Sequence, residues 1–191
     1  MNQVEAKEYV KEMLASTERE YMGSLLQWMS ENGFWTAPAA TSHHMACAGG
    51  LAIHTANVMR IALQLWETLA PSNVLKESVI VAAALHDLGK CGQHGKPLYV
   101  ENLLKTGKRS ESKPYEQNKE LLPIPHEIRS VAIAQRHIDL TEEEEYAIYY
   151  HNGLYGPLKY EIQGKETPLY MIIHWADMWA SRVVERTKEN E

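Results

Sequence analysis

The sequence predicts an all-α fold, a compact helical bundle with one irregular arm. Three observations carry this. Apolar residues recur every three or four positions over several long segments, which places them on one helical face. Between these segments stand capping residues, glycines and prolines of the kind that start and stop helices. A single long stretch, 91–123, lacks helical periodicity and is rich in Gly, Lys, Pro and polar residues.

The elements follow in order. Residues 3–14 and 17–32 read as helices, the second capped by Ser16 or Thr17 and ended by Asn32-Gly33. Leu25, Leu26, Trp28 and Met29 supply its apolar surface. A loop then leads to Gly49-Gly50. Residues 50–70 give the clearest helix, with Leu51, His54, Val58, Ile61, Leu65 and Leu69 in one stripe, and Pro71 ends it. Residues 73–88 carry Leu75, Val79, Ala82, Ala83 and His86 on a related face, with Gly89 as the expected stop. Within 91–123 a short helix or hairpin is expected near Leu98–Leu104, in a segment long enough to cover an active site. Residues 126–137 form a helix with Ile128, Val131, Ala132 and Ala134 inward. Thr141 and Glu144 make a capping box for a helix at 142–151. The acidic run Glu142–Glu145 suits that helix's first turn. Residues 158–164 are expected as a small hairpin or extended segment. A last helix spans 167–187, with Ile173, Asp177, Ala180 and Val184 on one face.

The 191 residues suffice for one well-buried domain. A net charge of −6, with both signs mixed, disfavours a broad nucleic-acid-binding face. It leaves room for a small phosphorylated substrate, which needs only local positive charge. No apolar run is long enough to span a bilayer, and the N-terminus lacks the apolar core of a secretion signal. Cys47 and Cys91 form no CxxC pair, so a reduced, cytoplasmic setting is expected. Cys91 reads as a small buried hydrophobe.

The chemistry resides in polar residues on apolar faces. Asp87 and Asp177 each occupy such a face, where a carboxylate is costly unless something pairs with it. With His54, His86, His126 and His151 they make six metal-type ligands over five helical segments. This pattern points to one polynuclear centre inside the bundle. His86 and Asp87 lie about 100° apart around one helix axis and both reach a centre facing the gap between them. Asp87, with two oxygens, is the candidate bridge. His54, His86, Asp87 and Asp177 would surround one ion, and His126 and His151 a second on the other side of Asp87. Imidazole mixed with carboxylate suits Mn²⁺, Fe²⁺, Co²⁺, Ni²⁺ or Zn²⁺. Such a pair can deprotonate a water and neutralise phosphate oxygens. Lys90, one turn after His86, and Arg129, three residues after His126, are candidate phosphate contacts. His44 could approach substrate from its loop. His174 could support Asp177 or simply pack. His43, His94 and His137 read as surface or core histidines.

The chain resembles the HD-domain metal-dependent phosphohydrolase superfamily, in its small stand-alone bacterial or phage type. The motifs are GGLAIHT at 49–55, AALHDLGK at 83–90, PHEIRS at 125–130, YYHNG at 149–153 and HWADMWASRV at 174–183. The resemblance covers roughly 43–185. It implies an HD-type bundle over 1–191, with 1–42 as an N-terminal helical extension and 91–123 as the irregular insertion. It makes His54 the first family ligand, His86 and Asp87 the doublet, and Asp177 the last. His126 and His151 match the extra histidines of two-metal members, while Asn152 stands where some relatives carry a second consecutive histidine. The stretch HHMACAGGLAIHT also resembles the HD part of certain exoribonucleases, whose added nucleic-acid-binding module is not apparent here.

The resemblance implies metal-dependent hydrolysis of a phosphomonoester or phosphodiester in a nucleotide-like small molecule. The expected cofactors are two divalent ions, with Mn, Fe, Co or Ni favoured over Zn or Mg. Asp87, Lys90 and Arg129 are the catalytic candidates. His44, Tyr115, Asn152, Tyr155 and Arg182, with Lys90 and Arg129, are the substrate-binding candidates. Trp35, Trp175 and Trp179 could read a base but are more often core or interface residues. Neither a membrane nor nucleic acid is an expected partner, and the chain is a monomer or a homodimer. Two alternatives stand beside this reading: a di-iron HD-like oxygenase, and a non-catalytic metal-bound regulatory domain.

Overall fold

The structure is a computed structural model and describes residues 1–156 and 159–186. Among these, eight α-helices, two short 3₁₀ turns, one π-helical turn and one two-stranded ribbon make up the regular structure. No helix among them is long and apolar enough to cross a membrane.

Helix α1 (Gln3–Ala15) starts at a capping box, with the Asn2 side chain accepting from the Val4 and Glu5 amides and Glu5 reaching back. It buries Ala6, Val10 and Leu14, a stripe at four-residue spacing. The second helix, α2 (Met22–Glu31), begins five residues later than Ser16 or Thr17 would place it. Both hydroxyls bond backward, to the carbonyls of Met13 and Leu14. Glu18 and Tyr21 take left-handed backbone conformations that no helix continues through. Arg19 fixes this turn through contacts to Glu77, Glu144 and the Asp139 carbonyl. Glu144 also closes the expected capping box with Thr141.

Helix α3 (Gly50–Leu69) follows two glycines with different duties. Gly49 has a φ of +76°, and a Cβ on Gly50 would run into the Met45 carbonyl. At the other end Ala70, ahead of Pro71, turns left-handed. Helix α4 (Lys76–Leu85) is shorter than 73–88 and is apolar all round, with every residue from Val79 to Leu85 buried. Leu75 does not join that face; it caps the helix from outside and is exposed. Each large aliphatic side chain buried here contributes about 1.5–3 kcal/mol, which offsets the cost of the polar cluster at the helix end. Gly89 lies within a 3₁₀ turn (Leu88–Cys91) rather than closing α4.

The insertion contains an antiparallel ribbon, β1 (Tyr99–Glu101) with β2 (Tyr115–Gln117), Val100 opposite Glu116. The chain then forms α5 (His126–Ala134), α6 (Glu142–Tyr150), a short α7 (Lys159–Ile162) and α8 (Pro168–Trp179). The small hairpin or extended segment expected at 158–164 is therefore replaced by a helical turn, with residue 158 outside the described part. In α5 the inward face is shifted from the expected one. Val131, Ile133 and Ala134 are buried, together with Glu127, Arg129 and Ser130, while Ile128 and Ala132 are exposed. The helix turns its polar side to the 3₁₀ turn carrying Gly89. The last helix does not run on regularly: a π-helical turn occupies Ala180–Val184 directly after α8. Thr187 lies outside the described residues.

The core forms where α3 packs on α1, α4 and α8, and α6 packs on α4 and α8. One hydrophobic cluster runs from Ala6 on α1 to Ala180.

Candidate metal centre

Five helices converge on Asp87. His54 lies in the second turn of α3, His86 follows the last residue of α4, and His126 opens α5. His151 follows the last residue of α6, and Asp177 sits near the end of α8. All six expected ligands come together. His54, His86, Asp87 and His151 are buried; His126 and Asp177 are partly exposed.

The Asp87 carboxylate divides the group. Its Oδ2 lies 3.4 Å from His54 Nε2 and 3.4 Å from His86 Nε2. Its Oδ1 lies 3.1 Å from His126 Nε2 and 3.5 Å from His151 Nε2. Asp177 Oδ1 joins the first side, 3.2 Å from His54 Nε2. Lys90 Nζ donates to Asp87 Oδ2 at 2.7 Å. Asp87 Oδ1, fully buried, accepts no hydrogen bond among the described residues.

Every histidine has its other nitrogen engaged. His86 Nδ1 donates to the Ala83 carbonyl and His151 Nδ1 to the Ile148 carbonyl, each at 2.8 Å. His54 Nδ1 meets the Glu185 carboxylate at 3.0 Å, and His126 Nδ1 lies 3.3 Å from Glu127 Oε2. A proton held on Nδ1 leaves the Nε2 lone pair facing the carboxylates. Convergent lone pairs, a buried oxygen with no donor and a mixed imidazole–carboxylate set fit a divalent cation. His54, His86, Asp87 form one candidate group and Asp87, His126, His151 another; His86, His151 and Asp177 lie close enough to form a third.

The electrostatics agree. Burial opposes a charge on His54, but Asp177, Asp87 and Glu185 outweigh it and raise its pKa well above the ordinary value. Burial also opposes charge on Asp87; Lys90 and the surrounding imidazoles prevail and hold its carboxyl well below the usual range. Asp177 is likewise lowered against burial, chiefly by His54. Burial works against the Lys90 ammonium, yet Asp87 raises its pKa.

The close approach of α5 has a local cause. A Cβ on Gly89 would collide with the His126 carbonyl and the Arg129 side chain. Ser130 Oγ donates to the His86 carbonyl and accepts from the Gly89 amide. This clamp holds His126 against Asp87.

The other expected residues divide. Lys90 is inside the cluster. Asn152 donates to Glu127 at 2.7 Å and lies 3.1 Å from His151 Nε2. With His126, Glu127 and Tyr155 it lines a cavity of about 660 Å³, the size of a small-molecule site. Arg182 is exposed and stacks over the Tyr155 ring at 4.7 Å. Tyr115 lines a second cavity of about 550 Å³ with Lys90. The His44 ring lies 5.2 Å from that of His54, and burial with the nearby His54 and Lys90 charges pushes its pKa down to about 4. Arg129 does not reach the cluster. Its buried guanidinium donates to Gln93 Oε1 and the Leu122 carbonyl, so it ties the insertion to α5 instead of offering a phosphate contact. His174 supports His151 rather than Asp177, its Nδ1 being 2.7 Å from the His151 carbonyl.

Glu185, Glu127 and Tyr99 were not legible as site residues. Glu185 lies beyond the last regular helix in a charged tail, and only the π turn brings it to His54. Glu127 resembles any first-turn acid. Tyr99, on β1, lines both cavities.

The HD domain family model matches residues 51–179, well over half of the chain, and the chain belongs to this family of the metal-dependent phosphohydrolase superfamily. The match begins just ahead of His54 and ends just beyond Asp177. No curated protein and no solved structure shows a significant match.

Proposed function

We propose that the protein is a metal-dependent phosphohydrolase acting on a phosphomonoester or phosphodiester of a nucleotide-like small molecule, with two divalent ions held on either side of Asp87. The observation that carries this reading is the division of the Asp87 carboxylate, one oxygen toward each pair of tethered histidines. His54, His86, Asp87 and Asp177 would hold one ion, and Asp87, His126 and His151 the other. Bound ions of this kind supply a water of lowered pKa and neutralise charge on phosphate oxygens.

The chain's own groups do the rest. Lys90 is a largely buried cation with three donors, one of them engaged by Asp87, so it has donors left for a phosphate oxygen. Asn152 presents an amide at the Oδ1 side. The cavity beyond His126 includes Lys119 as its one lining cation among the described residues and Glu127 as its one carboxylate. That balance suits a substrate whose part beyond the reacting phosphate is uncharged, and penalises a polyphosphate tail. Tyr99, Tyr155 and the amide of Gln117 offer stacking and hydrogen bonds to such a group.

The test is phosphate or nucleotide release from nucleoside monophosphates, triphosphates and cyclic nucleotides. Metal-free protein is compared with protein given Mn²⁺, Fe²⁺, Co²⁺, Ni²⁺, Zn²⁺ or Mg²⁺ separately. Metal-dependent turnover lost in a folded Asp87→Ala variant is the expected result. Full metal loading without turnover on any substrate would reject hydrolysis of this class, and oxygen consumption by the iron form would reassign the chemistry.

A further inference from the structure

The two halves of the centre are built alike in one respect. In each, one histidine gives its Nδ1 proton to a backbone carbonyl three residues earlier: His86 to Ala83 and His151 to Ile148. In each, the remaining histidine faces a buried carboxylate instead. Both Glu185 oxygens lie within 3.2 Å of His54 Nδ1, and Asn57 Nδ2 donates to Glu185 Oε1 at 2.9 Å. Glu127 lies beside His126 Nδ1 while accepting from Asn152.

We infer that Glu185 and Glu127 are positioning residues that tune the two metal sites separately, Glu185 through His54 and Glu127 through His126. The inference rests on the two-ion reading above.

Glu185 is 4 % exposed and follows the π turn directly. Its amide bonds back to the Ala180 carbonyl, the wide spacing that brings its side chain under α3. A buried carboxylate is costly without a partner, and among the described residues Glu185 finds its partners in His54 and Asn57. A carboxylate on Nδ1 fixes the ring orientation and makes Nε2 a stronger donor than a backbone carbonyl does. Glu185 touches His54 alone among the six ligands, and His54 faces only the Oδ2 side. Among the six ligands Glu127 touches only His126, which faces the Oδ1 side. Loss of either carboxylate therefore acts on one ion.

The experiment is Mn²⁺ binding to metal-free full-length protein, followed by calorimetry and by elemental analysis, with electron paramagnetic resonance to detect coupled ions. Two ions per chain in the wild type support the two-ion reading; a single ion overturns that reading and with it the division of labour. Given two ions, Glu185→Gln is expected to weaken one binding event by about 10- to 100-fold and leave the other unchanged. Glu127→Gln is expected to weaken the other event. In an Asp177→Asn background, whose Oδ2-side ion is already weakened, Glu127→Gln keeps its full effect. Asn57→Ala, which frees Glu185 without removing it, gives a smaller loss in the same event as Glu185→Gln and serves if that variant does not fold. Wild-type affinity for both ions in Glu185→Gln, or equal weakening of both, would overturn the inference.

Discussion

Asp87 and Lys90 form a close ion pair, Oδ2 to Nζ at 2.7 Å, three residues apart just past the end of α4, while the other oxygen of Asp87 has no donor among the described residues. The pair thus satisfies half of a buried carboxylate and leaves the other half for a cation. This asymmetry makes the metal-free protein tolerable without making it indifferent to metal.

Removal of metal should therefore destabilise the protein. A ligand that binds only the folded state stabilises it by about 2.7 kcal/mol at a hundredfold excess over Kd. For a chain of this size each kcal/mol moves Tm by about 2–4 °C. Thermal unfolding with Mn²⁺ and with a chelator should differ by roughly 5–10 °C. Identical Tm values at saturating metal would contradict the metal centre.

Lys90→Met should separate binding from turnover. It leaves the six ligands in place and removes a positioned cation. Loss of one such group at a developing charge typically costs about 10²–10³ in kcat. The same variant leaves Asp87 unpaired when metal is absent, so the metal-induced rise in Tm should exceed that of the wild type. Unchanged kcat with normal metal content would assign Lys90 to folding alone.

Gly89→Ala tests the approach of α5. The added methyl meets the His126 carbonyl and Arg129, and α5 must retreat. Overpacking of this kind costs about 1–3 kcal/mol. The expected signature, beyond lower stability, is loss of the ion on the His126 side in elemental analysis. A variant of wild-type stability holding both ions would show that the helix yields without consequence.

Arg19 should matter for stability and not for the site. Its partner Glu144 is fully buried, whereas Glu77 is partly exposed. Stranding a buried carboxylate costs about 3–5 kcal/mol, with the exposed partner adding little. Arg19→Ala should lower the urea midpoint accordingly while metal content stays the same. A shift within error of the wild type would refute the anchoring role.

Cys91 supplies a prediction in pH. Burial pushes its thiol up to about 12 in the folded protein, from an ordinary value of 9.0. Between these values the folded chain keeps a proton that the unfolded chain releases. Stability must therefore fall as pH rises through that window, because the unfolded state binds fewer protons. Cys91→Ala should flatten the alkaline decline in unfolding free energy. At neutral pH a thiol reagent should label exposed Cys47 first and Cys91 only as the fold opens. Rapid labelling of both would contradict the burial.

Much of the centre was readable from the chain because its ligands break an apolar pattern. His54 interrupts the α3 stripe, His86 and Asp87 end an apolar helix, and Asp177 sits on the inner face of α8. A polar residue in a periodic apolar stripe signals burial, and buried polar groups need partners. Arg129 misled for the opposite reason. Its three-residue spacing from His126 gives the right helix face, but neither Gln93 nor the Leu122 carbonyl can be foreseen as acceptors from spacing. The break at Glu18 to Tyr21 was hidden because neither residue carries a strong preference for the left-handed region it adopts.

The helical class, the family and the six candidate ligands follow from the residue order, since each depends on local periodicity or on a motif a few residues long. The tertiary structure alone decided which Asp87 oxygen faces which histidines, that Gly89 serves helix contact rather than a helix end, and that Glu185 reaches His54. These are relations between segments far apart in the chain, set by how the helices pack, and no local pattern encodes the angle at which two helices meet.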